Sequence, residues 1–401
     1  MPKISKILLL TVSVVLVLAI FLGVNSAGVS AASESPSGAY RQIDVYTEVL
    51  RHIQTDYVTD PNMTTVTDGA LRGLLESLDA DSSYLSPADY TAYKADEKAD
   101  KGDKAQVGIN VSKRYGYATV VSVLPGSPAD KANLVDGDIL EAIDGKDTRN
   151  ISLAIIKLMM EGKAGSELTV AVVRPNTPVP DKITMTRVVP QVQPVSETMY
   201  ENSSILYLKP VVLDHDHVQE IASKLKSMQH SGNKKVLLDL RDVASGNMAE
   251  ATRVANFFLK SGTIAMLEGQ KVEKQTFVAD ASKTIDATAP LVVLVNRGTA
   301  GPGELVAGAL LDNNRAELVG ERTFGEGSEQ KTFELPDGSA LILSVAKYES
   351  PSGKKLQDDA VTPEVLVASS LDNSDGTPQK SSEVVDEQLS KALDILKSKA
   401  S

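Results

Sequence analysis

The feature that most restricts the fold is an alternation of apolar runs with helical patterns between Ile205 and Asp312. Three continuous apolar runs are typical of strands buried on both faces: 205–208, 236–240 and 291–295. Three segments with helical apolar spacing lie between or after them: 217–229, 249–259 and 303–312. Because strands that alternate with helices usually pair in parallel, this half of the chain predicts an α/β core.

The segments that flank this core have other patterns. Residues 40–99 show helical spacing that predicts a helical hairpin, and residues 152–160 predict a single helix among the strands 107–111, 118–123, 139–143 and 168–174. Residues 175–194 are interpreted as a connector with an edge strand, and three strands follow the core at 318–320, 331–335 and 340–348. A polar linker at 369–380 precedes a short amphipathic helix at 383–397.

The amino-terminal residues are typical of an export signal. Lys3 and Lys6 precede a mostly apolar run at 7–24, and small residues follow through Ala32. We therefore expect an exported protein of the cell envelope or extracytoplasmic space. Residues 29–31 resemble a signal-cleavage site, but the run is also long enough to span a bilayer, so a cleaved signal and a retained plasma-membrane anchor both remain open.

Composition excludes several classes of function. Lys and Arg number 41 against 53 Asp and Glu, giving a net charge of −12, so nucleic acid is not an expected partner. The absence of Cys removes disulfides, thiolate nucleophiles and Cys-ligated zinc. The run Asp214-His215-Asp216-His217 has the residue types of a metal site, but it precedes a helix that Asp216 can cap. We expect solvated histidines there, and neither a metal nor a cofactor.

Several motifs, taken in order, resemble those of the carboxyl-terminal processing peptidases, also called tail-specific serine proteases. Residues 78–85 are similar to the family's Leu-Asp-Pro-His-Ser-Ser-Tyr-Leu motif, with Asp81 in place of His. Further matches lie at 238–241, 295–300, 304–312, 319–325, 330, 336–340, 348, 351–353 and 362–364. The resemblance covers most of residues 40–367. It implies a multidomain α+β chain with a helical amino-terminal segment, a PDZ domain and a crotonase-like or Clp-like α/β spiral core.

The PDZ resemblance rests on Val107-Gly108-Ile109, on residues 125–129 and on residues 136–145. Asn133 stands where the family usually has Gly. In such a domain, Gly108 lets consecutive N–H groups converge on a carboxylate while a strand edge accepts an extended peptide. The resemblance therefore implies that Val107, Gly108 and Ile109 bind peptides or protein carboxyl termini. Ordinary turn chemistry is the other interpretation of these glycines.

The family cuts peptide bonds with a serine nucleophile and a lysine base, and both are replaced here. Residues 298–304 match the family's Gly-Thr/Ser-Ala-Ser-Ala-Ser-Glu run, with Gly301 in place of the nucleophile. The family's Phe-Gly-Lys-Gly reads Phe-Gly-Glu-Gly here, with Glu326 in place of the lysine. Asp312 and Gln330 match the family pattern, so the register between the two positions is secure.

The oxyanion segment, Asp-Leu-Arg-x-x-Pro-Gly-Gly in the family, keeps only its second glycine, Gly246. Loss of a nucleophile removes the covalent route altogether. A substitute nucleophile remains an alternative: Thr299, Ser245 and Ser328 lie nearby in sequence, and Glu326 could activate Thr299 or a water molecule. Turn and cap roles are the simpler interpretation of these hydroxyls.

These observations lead to three functional hypotheses. The first is a proteolytically inactive homologue that binds extended peptides or carboxyl termini, as an adaptor or as the partner of an active paralogue. The alternative is an active serine-type endopeptidase with a non-standard nucleophile or another chemistry. The third is a structural protein that self-associates through residues 40–78. The expected domains are a signal or anchor (1–34), the helical segment (35–100), the PDZ domain (101–175), the peptidase-like core (176–368), and a linker with a carboxyl-terminal helix (369–401).

Overall fold

The computed structural model describes residues 37–98, 104–174, 179–231, 235–369 and 385–399. The predicted leader at 7–24 and residues 370–380 of the predicted linker lie outside these ranges. The chain divides into two compact units, residues 1–67 and 68–401. Among the described residues, no helix has the length and apolar character needed to cross a bilayer.

The first unit contains helix α1 (Ser37–Asp56) and the start of α2 (Met63–Glu76). Along α1, the apolar side chains Ile43, Tyr46 and Val49 are exposed. The second unit begins within α2 and continues through strand β1 (Ser83–Leu85) and helix α3 (Pro87–Glu97). Ser86 caps α3 by accepting a hydrogen bond from the Asp89 N–H.

The second unit next forms an antiparallel sheet that fits the expected PDZ domain. Its elements are β2 (Ile109–Arg114), β3 (Tyr117–Val123), α4 (Pro128–Lys131), β4 (Ile139–Ile143), β5 (Lys146–Asp147), α5 (Leu153–Met160), β6 (Glu167–Val173) and β7 (Asp181–Thr186). The strand order is β2-β3-β4-β6-β7, with β5 paired to β4. The prediction of a single helix was wrong, because Ser127 caps the additional short helix α4.

A six-stranded sheet forms the centre of the α/β core. Six strands and four helices belong to it: β8 (Ser196–Tyr200), β9 (Ile205–Lys209), α6 (His215–Ser231), β10 (Lys235–Asp239), α7 (Met248–Phe258), β13 (Leu291–Val295), α8 (Pro302–Asp312), β14 (Glu317–Gly320), β17 (Val365–Leu366) and α10 (Glu387–Ser398). The strands lie in the spatial order β17-β14-β13-β10-β9-β8. The predicted parallel pairing is confirmed for β9, β10 and β13. Strand β14 also pairs in parallel, with β13, whereas β8 pairs antiparallel with β9.

Both faces of this sheet are covered by apolar packing. Helices α6, α7 and α8 contribute Leu225, Phe258 and Leu310 to the main core on one face. The carboxyl-terminal helix α10 packs on the other face through Ala392 and Leu396. Continuous apolar strands require this two-sided burial, which explains why β10 and β13 are buried at every position.

An antiparallel sheet of five strands completes the core. It adds to β1 the elements β11 (Thr263–Glu268), β12 (Gln275–Val278), β15 (Ser328–Glu334), β16 (Ala340–Glu349) and the short helix α9 (Leu356–Asp359). The strands follow the order β1-β16-β11-β12, with β15 paired to β16. Residues 83–85 pair with residues 340–342, which brings the segment that contains Asp81 next to the strands that follow Glu326.

Candidate active site

Three loops meet at the carboxyl-terminal edge of the parallel sheet. They follow β10, β13 and β14, which lie side by side and in parallel. Polar residues at this edge converge because the carboxyl ends of parallel strands point the same way. They contain the residues that the sequence resemblance assigns to the oxyanion segment, to the nucleophile position and to the base position.

Gly301 stands at the amino-terminal end of α8, immediately before Pro302. Its backbone has φ of +51° and ψ of −109°, a conformation that residues with a side chain rarely adopt. A Cβ built on Gly301 would have only Met248 Cε within 4 Å, at 3.9 Å. The position therefore has space for a small side chain, but glycine offers no nucleophile.

Glu304 is fully buried and links two of these loops, those that follow β13 and β14. Its carboxylate accepts hydrogen bonds from the N–H groups of Gly301 at 3.0 Å, Gly325 at 2.8 Å and Glu326 at 2.7 Å. The Thr323 hydroxyl donates a further hydrogen bond. Burial raises the pKa of Glu304 to about 7, although these hydrogen bonds oppose the rise.

Thr299, the leading substitute nucleophile, lies buried beneath the same loops. Its hydroxyl donates to the Leu240 carbonyl at 2.8 Å and accepts from the Asn296 N–H at 3.1 Å. The Asn296 side chain in turn accepts from the Asp242 N–H at 2.9 Å and donates to the Asp242 carboxylate at 2.8 Å. These contacts hold the loops together and give the Thr299 hydroxyl a structural role.

Glu326 carries a carboxylate where the family has its lysine ammonium. Its side chain is 29% exposed, and Glu326 Oε1 lies 3.6 Å from Lys157 Nζ on helix α5. Burial raises the pKa of Glu326; the Lys157 ammonium opposes the rise and the Asp81 carboxylate adds to it. A carboxylate can act as a base, but no serine hydroxyl stands at position 301 for it to activate.

Asp81 lies in the same cluster and is 6% exposed. Asp81 Oδ2 accepts hydrogen bonds from the Ser328 hydroxyl at 3.1 Å and from Gln357 Nε2 at 3.2 Å. Burial raises the pKa of Asp81, while Lys157 and the Ser328 hydrogen bond oppose the rise. Gln330 donates to the Asp81 backbone carbonyl at 3.2 Å. The structure thus brings together Asp81, Glu326, Ser328 and Gln330.

The oxyanion segment presents few donors to this centre. Gly246 lies against Leu213 in a parallel bridge, and Ser245 donates its hydroxyl hydrogen to Asn110 of β2 at 2.8 Å. The Val243 carbonyl accepts from the Ala300 N–H at 3.0 Å. Pro302 has no N–H, so the peptide bond that follows Gly301 cannot donate a hydrogen bond to an oxyanion.

The PDZ sheet contacts the loops of this centre. Asn110 contacts Ser245, and the Arg114 guanidinium donates to the Phe324 carbonyl at 2.6 Å. Lys157 reaches Glu326 from helix α5. Sequence reasoning missed Lys157, Arg114 and Gln357, because single polar residues on other elements give no pattern that links them to the centre.

The candidate peptide-binding residues lie at one edge of the PDZ sheet. Strand β2 pairs with β3 on one side, and in the described residues no other strand of the sheet pairs with its outer edge. Gly108 has φ of +84°, and a Cβ there would lie 2.2 Å from Ser127 Cβ. Val107 and Ile109 are buried. A cavity of about 220 Å³ opens between Gly108, Ile109, Lys209 and Ser245.

The histidine run differs from its prediction. Asp214, not Asp216, caps helix α6: it accepts from the His217 N–H at 3.0 Å and contacts His217 Nδ1 at 2.6 Å. His215 is exposed as expected, but His217 is buried, with Nε2 3.0 Å from the Gln193 carbonyl. Across the described ranges, no group of three His, Cys, Asp or Glu residues is placed to hold a metal ion.

Comparisons with known proteins agree with this geometry. Profiles of Peptidase family S41 and of the PDZ domain match residues 204–367 and 119–174, respectively. The carboxyl-terminal-processing protease of Picosynechococcus sp. is 35% identical over 303 residues, which cover 75% of this chain and 72% of that protein. The carboxy-terminal-processing protease of Bartonella bacilliformis is 31% identical over 349 residues, 85% of this chain and 79% of the relative.

A solved structure shares the fold over most of its length. The photosystem II D1 C-terminal processing protease superimposes with a TM-score of 0.68 and 25% sequence identity, over 82% of this chain and 95% of that chain. The mixed α/β fold, with a PDZ domain and a protease-type core, is therefore confirmed. The chain belongs to the carboxyl-terminal processing protease family, within peptidase family S41.

Proposed function

We propose that this chain is an exported member of the family that has lost proteolytic activity and binds extended peptides or protein carboxyl termini through its PDZ domain. The observation that carries this proposal is Gly301 at the start of α8, where it supplies no nucleophile. The proposed extent of the PDZ domain is 101–175 and that of the peptidase-like core is 176–368. Export rests on the apolar run at 7–24.

Three further features support the loss of activity. Glu326, which stands where the family has its lysine base, makes an ion pair with Lys157. The Thr299 hydroxyl is committed to buried hydrogen bonds. Pro302 removes one backbone donor, and loss of a single oxyanion donor costs about 3 to 4 kcal/mol of transition-state stabilisation.

Peptide binding is supported by the edge of the PDZ sheet. The outer edge of β2 offers backbone groups for an added strand, beside helix α5. In the described part of the chain, no backbone hydrogen bond is donated by the N–H of Val107 or Gly108. Such N–H groups are suited to a terminal carboxylate.

One observation favours the alternative of an active enzyme. The Ser328 hydroxyl donates to Asp81 Oδ2 at 3.1 Å, which pairs a hydroxyl with a carboxylate that could act as a base. Ser328 stands at the start of β15, and a serine hydrolase would require oxyanion donors near it. Labelling of the purified protein with a fluorophosphonate, compared with Ser328→Ala, separates the two proposals.

The test of the proposal measures labelling and binding together. We expect no fluorophosphonate adduct on the wild type. Peptides with a free, apolar carboxyl-terminal residue should bind at least about tenfold more tightly than the same peptides with an amidated terminus, because amidation removes a charged hydrogen-bond acceptor. Labelling that disappears in Ser328→Ala, or equal binding of acid and amide, would contradict the respective half of the proposal.

A further inference from the structure

Two carboxylates, Asp81 and Glu326, lie close to Lys157 in the candidate active site, and we call this cluster the vacated centre. Asp81 and Glu326 stand where the resembling motifs have His and Lys, so both positions have changed towards negative charge. Within the described residues, these two carboxylates make a single ion pair shorter than 4 Å, between Glu326 and Lys157 at 3.6 Å. When both carboxylates are ionised, the cluster therefore carries one negative charge more than Lys157 balances.

Two buried acceptor atoms in this cluster lack hydrogen-bond donors. Among the described residues, Asp81 Oδ1 and Gln357 Oε1 are buried and have no hydrogen-bond partner. Asp81 Oδ2 already accepts from Ser328 and Gln357, so the deficit is confined to the second oxygen. Buried acceptors normally have donors, so these two oxygens are suited to accept hydrogen bonds from the N–H groups of a ligand.

Lys157 shows what kind of group the cluster attracts. Its side chain extends from helix α5 and is 48% exposed, and its separation from Glu326 Oε1 is long for an ion pair. Such an exposed pair contributes little to stability, so an incoming cation can replace it. The Glu326 side chain is 29% exposed, which gives a ligand access to the cluster from solvent.

We infer that the vacated centre is a binding subsite for a cationic side chain, that of a lysine or an arginine in a bound extended peptide. The inference rests on the proposed function, since the PDZ edge would hold the rest of the peptide. The ligand N–H groups donate to Asp81 Oδ1 and Gln357 Oε1, and its charge faces Glu326. No bond is made or broken, so the subsite selects a sequence without cutting it.

The test uses n-butylammonium chloride as a probe of the lysine side chain, against sodium chloride at the same ionic strength. The full-length protein is titrated while the amide NMR signals of Ser82 and Gly327 are followed. We expect saturable shifts with the amine in the wild type. Affinity should fall at least about tenfold in Glu326→Gln, because a charged partner is lost. The matched control Glu329→Gln removes an exposed carboxylate nearby and should bind like the wild type.

Two results would overturn the inference: shifts that do not saturate and equal those with sodium chloride, or unchanged affinity in Glu326→Gln. A proton shared between Asp81 and Gln357 would give the first result. The probe has no carboxylate, so its binding does not depend on peptide binding at the PDZ edge. Conversely, peptides with norleucine in place of lysine test the PDZ edge without the cation, which keeps the two failures distinguishable.

Discussion

Glu304 and Glu326 are carboxylates of the same loop cluster, but their surroundings differ. Glu304 is buried and accepts three backbone N–H groups and the Thr323 hydroxyl. Glu326 is partly exposed, and its carboxylate contacts Lys157 of another domain at 3.6 Å. The region around Glu304, the supporting region, holds the loops in place, whereas Glu326 differs from the lysine of the family motif. The difference shows that the supporting contacts of such a centre can be present when the residues at the dyad positions differ from those of the family.

The largest expected effect concerns the ionisation of Glu304. Its folded pKa of about 7 lies above the ordinary 4.5, so the folded state binds the proton more tightly between these values. The free energy of unfolding should therefore fall as pH rises from about 4.5 to 7, by about 3 kcal/mol for this group. The measurement is urea unfolding across this range, taken as the difference between the wild type and Glu304→Gln.

The difference in unfolding free energy between the wild type and Glu304→Gln would instead stay constant with pH if the hydrogen bonds outweighed burial and kept the pKa of Glu304 low. Asp81 and Glu326 also have raised pKa values, so they add to the wild-type slope in the same direction. Because both remain in Glu304→Gln, their contributions cancel in the difference. The comparison then separates the contribution of Glu304 to the pH dependence from those of Asp81 and Glu326.

A second prediction concerns Thr299, which belongs to the supporting region. Thr299→Val removes the hydroxyl and leaves the Leu240 carbonyl and the Asn296 N–H without that partner. We expect a loss of about 1 to 3 kcal/mol in the free energy of unfolding, measured by urea denaturation. The control Thr332→Val, at an exposed position on β15, should change stability by less than about 0.5 kcal/mol. An effect no larger than the control would contradict the structural role.

The smallest expected effect has the opposite sign and concerns Asp81. Asp81→Asn removes a buried charge and gives the unpartnered Gln357 Oε1 a neighbouring amide donor. Stability at pH 7 should rise by about 1 kcal/mol, seen as a higher thermal midpoint. Asp181→Asn, at an exposed position, is the control and should leave the midpoint nearly unchanged. A lower midpoint in Asp81→Asn would place Asp81 in the supporting region instead.

The parts of the fold that sequence predicted are those whose burial leaves a local pattern. The strands β10 and β13 are buried along their whole length, so continuous apolar runs marked them. Strand β8, which pairs with β9, was missed because four of its five residues are exposed. Its sequence therefore shows no alternation of apolar and polar residues. Strands β11 and β12 were also missed, since their pairing depends on distant parts of the chain.

Sequence motifs predicted parts of the candidate site, but they did not predict its contacts between distant segments of the chain. The assignment of Gly301 and Glu326 to the two dyad positions rests on flanking motifs and stays a prediction. The contact of Lys157 with Glu326 depends on how helix α5 docks on the core, and an exposed lysine leaves no trace of that docking. Likewise, the capping role moved from Asp216 to Asp214, because helix boundaries inferred from spacing shift by one or two residues.

The most direct test of the central claim is hydrolysis of an unfolded casein substrate by the full-length wild type, followed by the release of new amino termini. We predict no release above the rate of buffer alone, and no difference between the wild type, Thr299→Ala and Ser328→Ala. Cleavage by the wild type that is abolished in either variant would contradict the account and would identify the substituted residue as the nucleophile.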